Sequence, residues 1–356
     1  MSAALETPAL ELACYDTEQA WYGPDVKLAD DWIHVLTPQQ IAELDAAILA
    51  PEKQGRDILT LGRDDFHIPS ILPVLKEMAK AVLHGRGFYL IRGLPVERYT
   101  KKQSALAFWA LGVHTGDPVS QNGKGHVLGH VTNLGLNYSD PEVRGYQTSA
   151  RLPYHTDSSD MVGLLCLRKA RSGGLSSIVS STTIWNELVR GRPDLAQVLM
   201  DGFHRTRWGE IPAGQKPYAS SPVFAPLNGR IFSSYVRSAI HKAQAMEVVP
   251  RLTPLQIEAM DHLDALAADP RIHLDMDLAP GDMQFVSNYH VYHSRTAYED
   301  DPDPERRRHM LRLWLACDDG PEIPESLLGR NGVTEKGRPN GILVPGVPLV
   351  APLEAA

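Results

Sequence analysis

Residues 308–315 read Arg-His-Met-Leu-Arg-Leu-Trp-Leu. In a β-strand, alternation sends Arg308, Met310, Arg312 and Trp314 to one face and His309, Leu311, Leu313 and Leu315 to the other. The three leucines need something to be buried against. The opposite face also carries large apolar groups, so both faces are interior, and the strand belongs to a layered fold. Arginine is rarely buried unless paired. Two inward arginines therefore need anions, and a planar guanidinium favours a bidentate carboxylate. Two readings stay open from the strand alone. Acidic side chains of the protein, or water at a strand end, satisfy the arginines; or the interior is built for a carboxylate ligand.

The chain before this strand divides into a helical part and a strand-rich part. Thr37-Pro38-Gln39-Gln40 predicts a capped helix start, with Ile41, Leu44 and Ile48 recurring on one face. A second helix is expected from about Ser70 to His84, stopped by Gly85 and Gly87, and a third from Thr100. Gly87 to Leu94 reads as a buried strand. From Gly112 onward short apolar runs alternate with glycine turns: Val127–Leu134, Met161–Leu167, Ser176–Ser181, Arg271–Leu278, Met283–Tyr289 and Arg308–Ala316. Asn228-Gly229 between two such runs predicts a hairpin. Helices are expected at Ile184–Val189 and Pro193–Met200, and Thr253-Pro254-Leu255-Gln256 repeats the capping box before another. Residues 1–36 carry no clear assignment, and the Gly- and Pro-rich tail from Gly320 is expected to wrap the surface. The pattern predicts a mainly β fold with helical additions (α+β) around a double-sheet core. The expected organisation is one catalytic domain over 1–356, with a helical N-terminal part to about 84, a core over about 85–318 and a tail over 319–356.

Several function classes are excluded. Lys and Arg number 35 against 43 Asp and Glu, a net charge of −8, and no long basic run occurs, which disfavours a nucleic-acid partner. No apolar run approaches the ~18 residues of a membrane span. The N-terminus lacks signal-peptide character. Cys14, Cys166 and Cys317 are too few and too scattered for a disulfide or zinc framework and read as reduced thiols, so a cytoplasmic protein is expected. Dinucleotide-fold, P-loop and Gly-x-Ser-x-Gly signatures are absent.

His155 and Asp157 stand two apart, so in a strand both would point to one face. His293 follows 138 residues later. Two histidines and one carboxylate are the ligand set of non-heme Fe(II) oxygenases. A zinc hydrolase could use the same triad, but the inward arginines would then go unexplained.

Taken together, His155-x-Asp157, Gly173-Gly174-x-Ser176, Asn288, His293-Ser-Arg and Arg307-Arg308-His-Met-Leu-Arg312 resemble the taurine dioxygenase (TauD/TfdA) family of Fe(II)/2-oxoglutarate-dependent dioxygenases, of the clavaminate synthase-like superfamily. The motif-bearing part covers roughly residues 85–318. The resemblance implies a double-stranded β-helix (jelly-roll) core. It implies that His155, Asp157 and His293 bind Fe(II), and that 2-oxoglutarate and O2 take the remaining positions. Succinate and carbon dioxide leave as a substrate C–H bond is oxidised, by hydroxylation unless desaturation or cyclisation takes over. Relatives that halogenate lack the carboxylate that Asp157 keeps. Arg308 corresponds to the family's anchor for the distal carboxylate of 2-oxoglutarate, Ser176 to a hydroxyl that touches the cosubstrate, and Arg312 to an arginine near cosubstrate and substrate. Leu175 departs from the pattern, which often has an acidic residue there. Asn133, Gln147 and Arg151 lie in the segment where relatives recognise substrate. The expected partner is a small molecule bearing a carboxylate, and a homo-oligomer is compatible. Alternatives are a protein side-chain hydroxylase and a catalytically silent metal- or ligand-binding jelly roll.

Overall fold

Helix starts follow the caps. Thr37, Thr100 and Thr253 each accept a hydrogen bond from the backbone N–H three residues on, and Gln40, Gln103 and Gln256 answer at the cap's own N–H. These boxes open helices Pro38–Lys53, Lys101–Thr115 and Pro254–Ala267. Helix Leu72–Leu83 runs between the first two. Beyond the sheets' first strands come helices Ser181–Gly191, a few residues longer than expected at each end, and Pro193–Leu199, one residue short of its expected end. The computed structural model describes residues 12–137, 143–211, 214–328 and 332–355.

The strands that build the core are β1 Ile33–Val35, β2 Phe88–Arg92, β3 Asp117–Val119, β4 Leu128–Thr132, β5 Leu152–His155, β6 Met161–Arg168, β7 Ser176–Ser180, β8 Leu274–Met276, β9 Met283–Ser287, β10 Val291–Arg295 and β11 His309–Ala316. Seven of them form one sheet, ordered β1-β2-β9-β6-β11-β3, with β4 also paired to β11. The other four form a smaller sheet, ordered β8-β7-β10-β5. The hairpin at Asn228-Gly229 forms as expected between Phe224–Leu227 and Arg230–Ser233. Both turn residues sit at positive φ, 49° and 72°, the requirement of a type I′ turn.

Three apolar clusters stack across the two sheets. Between the sheets lie Phe88, Val162, Met310 and Trp314 from the large sheet and Ile178, Met276 and Val291 from the small one. Leu311, Leu313 and Leu315 turn the other way, onto the N-terminal helices. Outside the small sheet, Val179 and Tyr292 pack on the helices of 181–199 and 254–267. The two-faced reading of β11 therefore holds residue by residue. This is the jelly-roll core within an α+β architecture. Among the described residues, no helix is long and apolar enough to cross a membrane.

Three expectations change. The strand Val291–Arg295 had no strand assignment in the sequence, because Tyr-His-Ser-Arg shows no alternation; it is buried on both faces, where alternation carries no information. The expected strand at Arg271–Leu278 shrinks to Leu274–Met276, since Arg271 is taken up in a local pairing with Asp269. The tail does more than cover the surface: Arg338 and Ile342 are buried.

Candidate active site

The small sheet sets His155 and His293 side by side. They are register partners on the antiparallel strands β5 and β10, so their side chains share a face. Their ring centroids lie 4.3 Å apart. Asp157 arrives differently from the expectation. His155 is the last residue of β5, and Asp157 lies in the turn beyond it, so strand alternation does not aim the carboxylate. The turn is held instead by its neighbours. Thr156 N–H donates to Tyr235 O at 2.9 Å, and Tyr235 N–H donates back to Thr156 Oγ1 at 3.1 Å. Asp157 N–H donates to Asn288 Oδ1 at 2.9 Å. One potential ligand atom from each of His155, Asp157 and His293 lies within 4.8 Å of the other two, a set that could hold a metal ion.

Protonation states suit that use. His155 Nδ1 lies 2.9 Å from Pro153 O, which can only accept, so Nδ1 carries the proton and Nε2 offers its lone pair. Nε2 faces Asp157 Oδ1 at 3.9 Å, and His293 Nε2 faces Asp157 Oδ2 at 3.7 Å. Burial pushes the pKa of His155 down, and burial followed by His155 itself pushes that of His293 down to about 3. Burial acts to raise the Asp157 pKa, but Arg312, His293, His155 and the Trp314 N–H together outweigh it and hold the carboxyl below its usual range. Neutral imidazoles and an ionised carboxylate are the forms that bind a metal. Trp314 Nε1 donates to Asp157 Oδ2 at 2.8 Å and fixes the carboxylate's orientation.

Two cavities meet at His155 and Arg312. The first, between the sheets, is lined by His293, Ser176, Arg308 and Met310. Arg308 is only 3% exposed. Among the described residues no carboxylate lies within ion-pairing range of its guanidinium; Nη2 donates to Met310 Sδ at 3.1 Å, and the group sits over the Tyr298 ring. Burial lowers its pKa. Gly174 makes the close approach possible: it sits at φ +73°, and a Cβ there would lie 3.1 Å from Arg308 Nε. Ser176 Oγ donates to Gln284 Oε1 at 2.9 Å. A buried guanidinium beside a metal-binding set, with no anion of its own, fits a carboxylate ligand.

The second cavity opens from Asp157 between Tyr146, Trp208, Val236, Trp314 and Ile342. Arg312 belongs to both cavities. Its Nε donates to Gln121 Oε1 at 2.7 Å, its Nη1 lies 3.5 Å from Asp157 Oδ2, and it stacks on Tyr146 and Trp314. Of the three loop candidates, Gln147 lies in a small cavity behind Arg312 and accepts from Arg144 N–H. Asn133 bonds Asp300 and Gly135 N–H, Arg151 is exposed, and neither lines the two cavities. Residues 138–142, between Asn133 and Gln147 in this segment, lie outside the described residues. Sequence reasoning passed over Gln121, Tyr146, Trp208, Val236 and Ile342, which lie scattered along the chain with no shared spacing.

The family model described as "Taurine catabolism dioxygenase TauD, TfdA family" matches residues 52–314. The chain belongs to this family. It is an Fe(II)/2-oxoglutarate-dependent dioxygenase, using iron, 2-oxoglutarate and O2. FR-33289 synthase of Streptomyces rubellomurinus is 30% identical over 310 residues, 86% of this chain and 91% of the relative. Among solved structures, an asparagine oxygenase with Fe(II), a hydroxyasparagine and succinate matches with TM-score 0.62 at 17% identity, covering 80% of this chain and 93% of that one. The non-heme iron oxygenase OrfP with Fe and α-ketoglutaric acid matches with TM-score 0.60 at 16% identity, covering 80% and 93%. At these identities the two structures speak to the fold.

Proposed function

We propose that His155, Asp157 and His293 hold Fe(II), that Arg308 and Ser176 receive the distal carboxylate of 2-oxoglutarate in the cavity between the sheets, and that the second cavity takes a small carboxylate-bearing substrate. Bound iron with 2-oxoglutarate and O2 supplies the oxidation of a C–H bond. The chain's residues do the rest. His155 and His293 offer Nε2, Asp157 offers the oxygen that Trp314 leaves free, and the buried Arg308 neutralises the cosubstrate's carboxylate. Arg312, at the junction, meets the substrate's anionic end. Asn133, Gln147 and Arg151 remain candidates for the substrate side, Gln147 through its place behind Arg312. Residues 1–356 are read as one catalytic domain, with both sheets shared among the three apolar clusters. Hydroxylation is the default outcome.

The observation that carries this reading is Arg308: buried, with no carboxylate in ion-pairing range among the described residues, and lining the same cavity as His155 and His293. The test adds Fe(II) and 2-oxoglutarate without oxygen and looks for a weak visible charge-transfer band. Oxygen is then admitted and succinate assayed against a library of small carboxylates. The band should form and vanish in His155→Ala. No band and no succinate in the wild type would overturn the reading.

A further inference from the structure

The family match ends at Trp314, one residue before Leu315, the last leucine of β11. The chain continues for another 42 residues, 356 − 314. Part of that continuation returns to the active site. Arg338 meets Asp160, three residues past Asp157, in a bidentate ion pair: Nε donates to Oδ2 at 2.9 Å and Nη2 to Oδ1. Asp160 is 1% exposed. Its Oδ2 also accepts Cys317 N–H at 2.8 Å, and Arg338 Nη1 donates to Pro321 O at 2.8 Å. Four residues on, Ile342 N–H donates to Ser120 O at 2.8 Å. Gly341 fits there at φ +62°, where a Cβ would lie 2.2 Å from Ser120 O. Between these two fastenings the backbone has little freedom. The Ile342 side chain, 2% exposed, lies in the same apolar cluster as Trp314 and Val119 and lines the second cavity with Asp157 and Trp314.

A buried ion pair is weak evidence for stability, because desolvation offsets its attraction. It is better suited to fixing one arrangement among several, here the placement of residues 338–342 against the ligand-bearing turn. An aliphatic side chain that closes a cavity sets the bulk that the cavity accepts, and one methylene in such a pocket shifts discrimination by about 10-fold or more.

We propose that this C-terminal strap is a specificity-determining wall of the substrate cavity: Ile342 sets how much substrate bulk fits beside Asp157, and the Arg338–Asp160 pair is the bolt that keeps it there. The proposal rests on the second cavity being the substrate's. It places the size limit outside the part of the chain that the family model matches, so Ile342 is a position at which substrate range is adjusted without disturbing the cosubstrate site.

The test uses the full chain loaded with Fe(II) and 2-oxoglutarate without oxygen. Benzoate, phenylacetate and 4-phenylbutyrate are titrated by saturation-transfer NMR into the wild type, Ile342→Ala and Ile342→Trp. Affinity for 4-phenylbutyrate should rise about 10-fold in Ile342→Ala and fall about 10-fold in Ile342→Trp, with benzoate moving least. The 2-oxoglutarate band is the internal reference. Its loss in the wild type would sink the reading of the site; a normal band with equal affinities in all three proteins, or with no probe bound by any, would sink the wall. The bolt is tested by hydrogen exchange: Arg338→Met should expose the Ile342 amide about 10-fold faster, on the scale of local opening, while amides of β10 keep their protection. If Arg338→Met fails to fold, Asp160→Leu/Arg338→Met removes both charges and tests the same amide. Unchanged exchange at Ile342 would refute the bolt.

Discussion

Replacing Trp314 by Phe removes one N–H and keeps an aromatic ring against Arg312. In the wild type, Trp314 Nε1 holds Asp157 Oδ2 at 2.8 Å, while Arg312 Nη1 stands off at 3.5 Å from the same oxygen. Without the indole, Oδ2 loses its close donor, and the carboxylate turns toward Arg312. The pair it would then form competes with metal binding. A hydrogen bond to a charged group contributes about 1.5–3 kcal/mol. Part of that is present in the metal-free protein too, so only the orienting share acts on affinity. Loss of such outer partners typically weakens metal binding about 10- to 100-fold, and the lower end applies where a second donor waits nearby. The expected outcome is Fe(II) binding weakened by about 10-fold, or about 1.4 kcal/mol. The assay is anaerobic titration of Fe(II) at saturating 2-oxoglutarate, followed by the charge-transfer band. A melting curve without metal separates this from general damage. An unchanged Fe(II) affinity in a folded Trp314→Phe protein would refute the claim that the indole orients the ligand.

Arg308→Met should weaken 2-oxoglutarate by at least about 30-fold, since truncating one partner of a buried charge pair costs about 2–5 kcal/mol. The same change should leave the melting temperature of the unliganded protein level or higher, because it removes a buried cation that pairs with no carboxylate among the described residues. Gln121→Leu deprives Arg312 Nε of its acceptor and the carbonyls of Val127 and Arg312 of their donor, at about 1–3 kcal/mol for each stranded group, read as a lowered melting temperature. Burial, with Arg230 nearby, pushes the pKa of His290 down to about 3, and burial with His155 does the same to His293. The unfolded chain then takes up protons that the folded one refuses. Stability is therefore full above the ordinary histidine pKa of about 6.5 and falls below it, by about 1.4 kcal/mol per pH unit for each such group, until the folded pKa is reached. His290→Gln should flatten the dependence of melting temperature on pH between about 6.5 and 4; an unchanged slope would remove His290 from the account.

Much of the fold was legible because local rules and burial agreed. Thr37, Thr100 and Thr253 each bring their own Gln to close a capping box, and Asn228-Gly229 supplies the two positive φ angles its hairpin needs. Strand β11 was legible because its leucines and its arginines face different surroundings. Where both faces meet the same surroundings the pattern is silent, as at Val291–Arg295. The pairing of His155 with His293 was visible as residue types; the register that sets them opposite one another is long-range and leaves no local trace. Asp157 was expected on the same strand as His155 and lies in a turn, aimed by Tyr235 and Asn288 from distant parts of the chain. Gln121 shows the same limit. Its role depends on where β11 passes, 191 residues later.

The strand that carries His155 sits at the rim of the small sheet, bonded to β10 alone. Register there holds at His293 and His155 and slips before Arg295 pairs with Leu152. A rim strand with so short a ladder depends on whatever else ties it down. If His155, Asp157 and His293 hold the ion as proposed, its ligands come from β5, from β10 and from the turn between β5 and β6, and a bound ion is also a rivet across that seam. Closing the sheet's edge and loading the metal are then one equilibrium rather than two. Slower hydrogen exchange across 152–155 on adding Fe(II) is its signature.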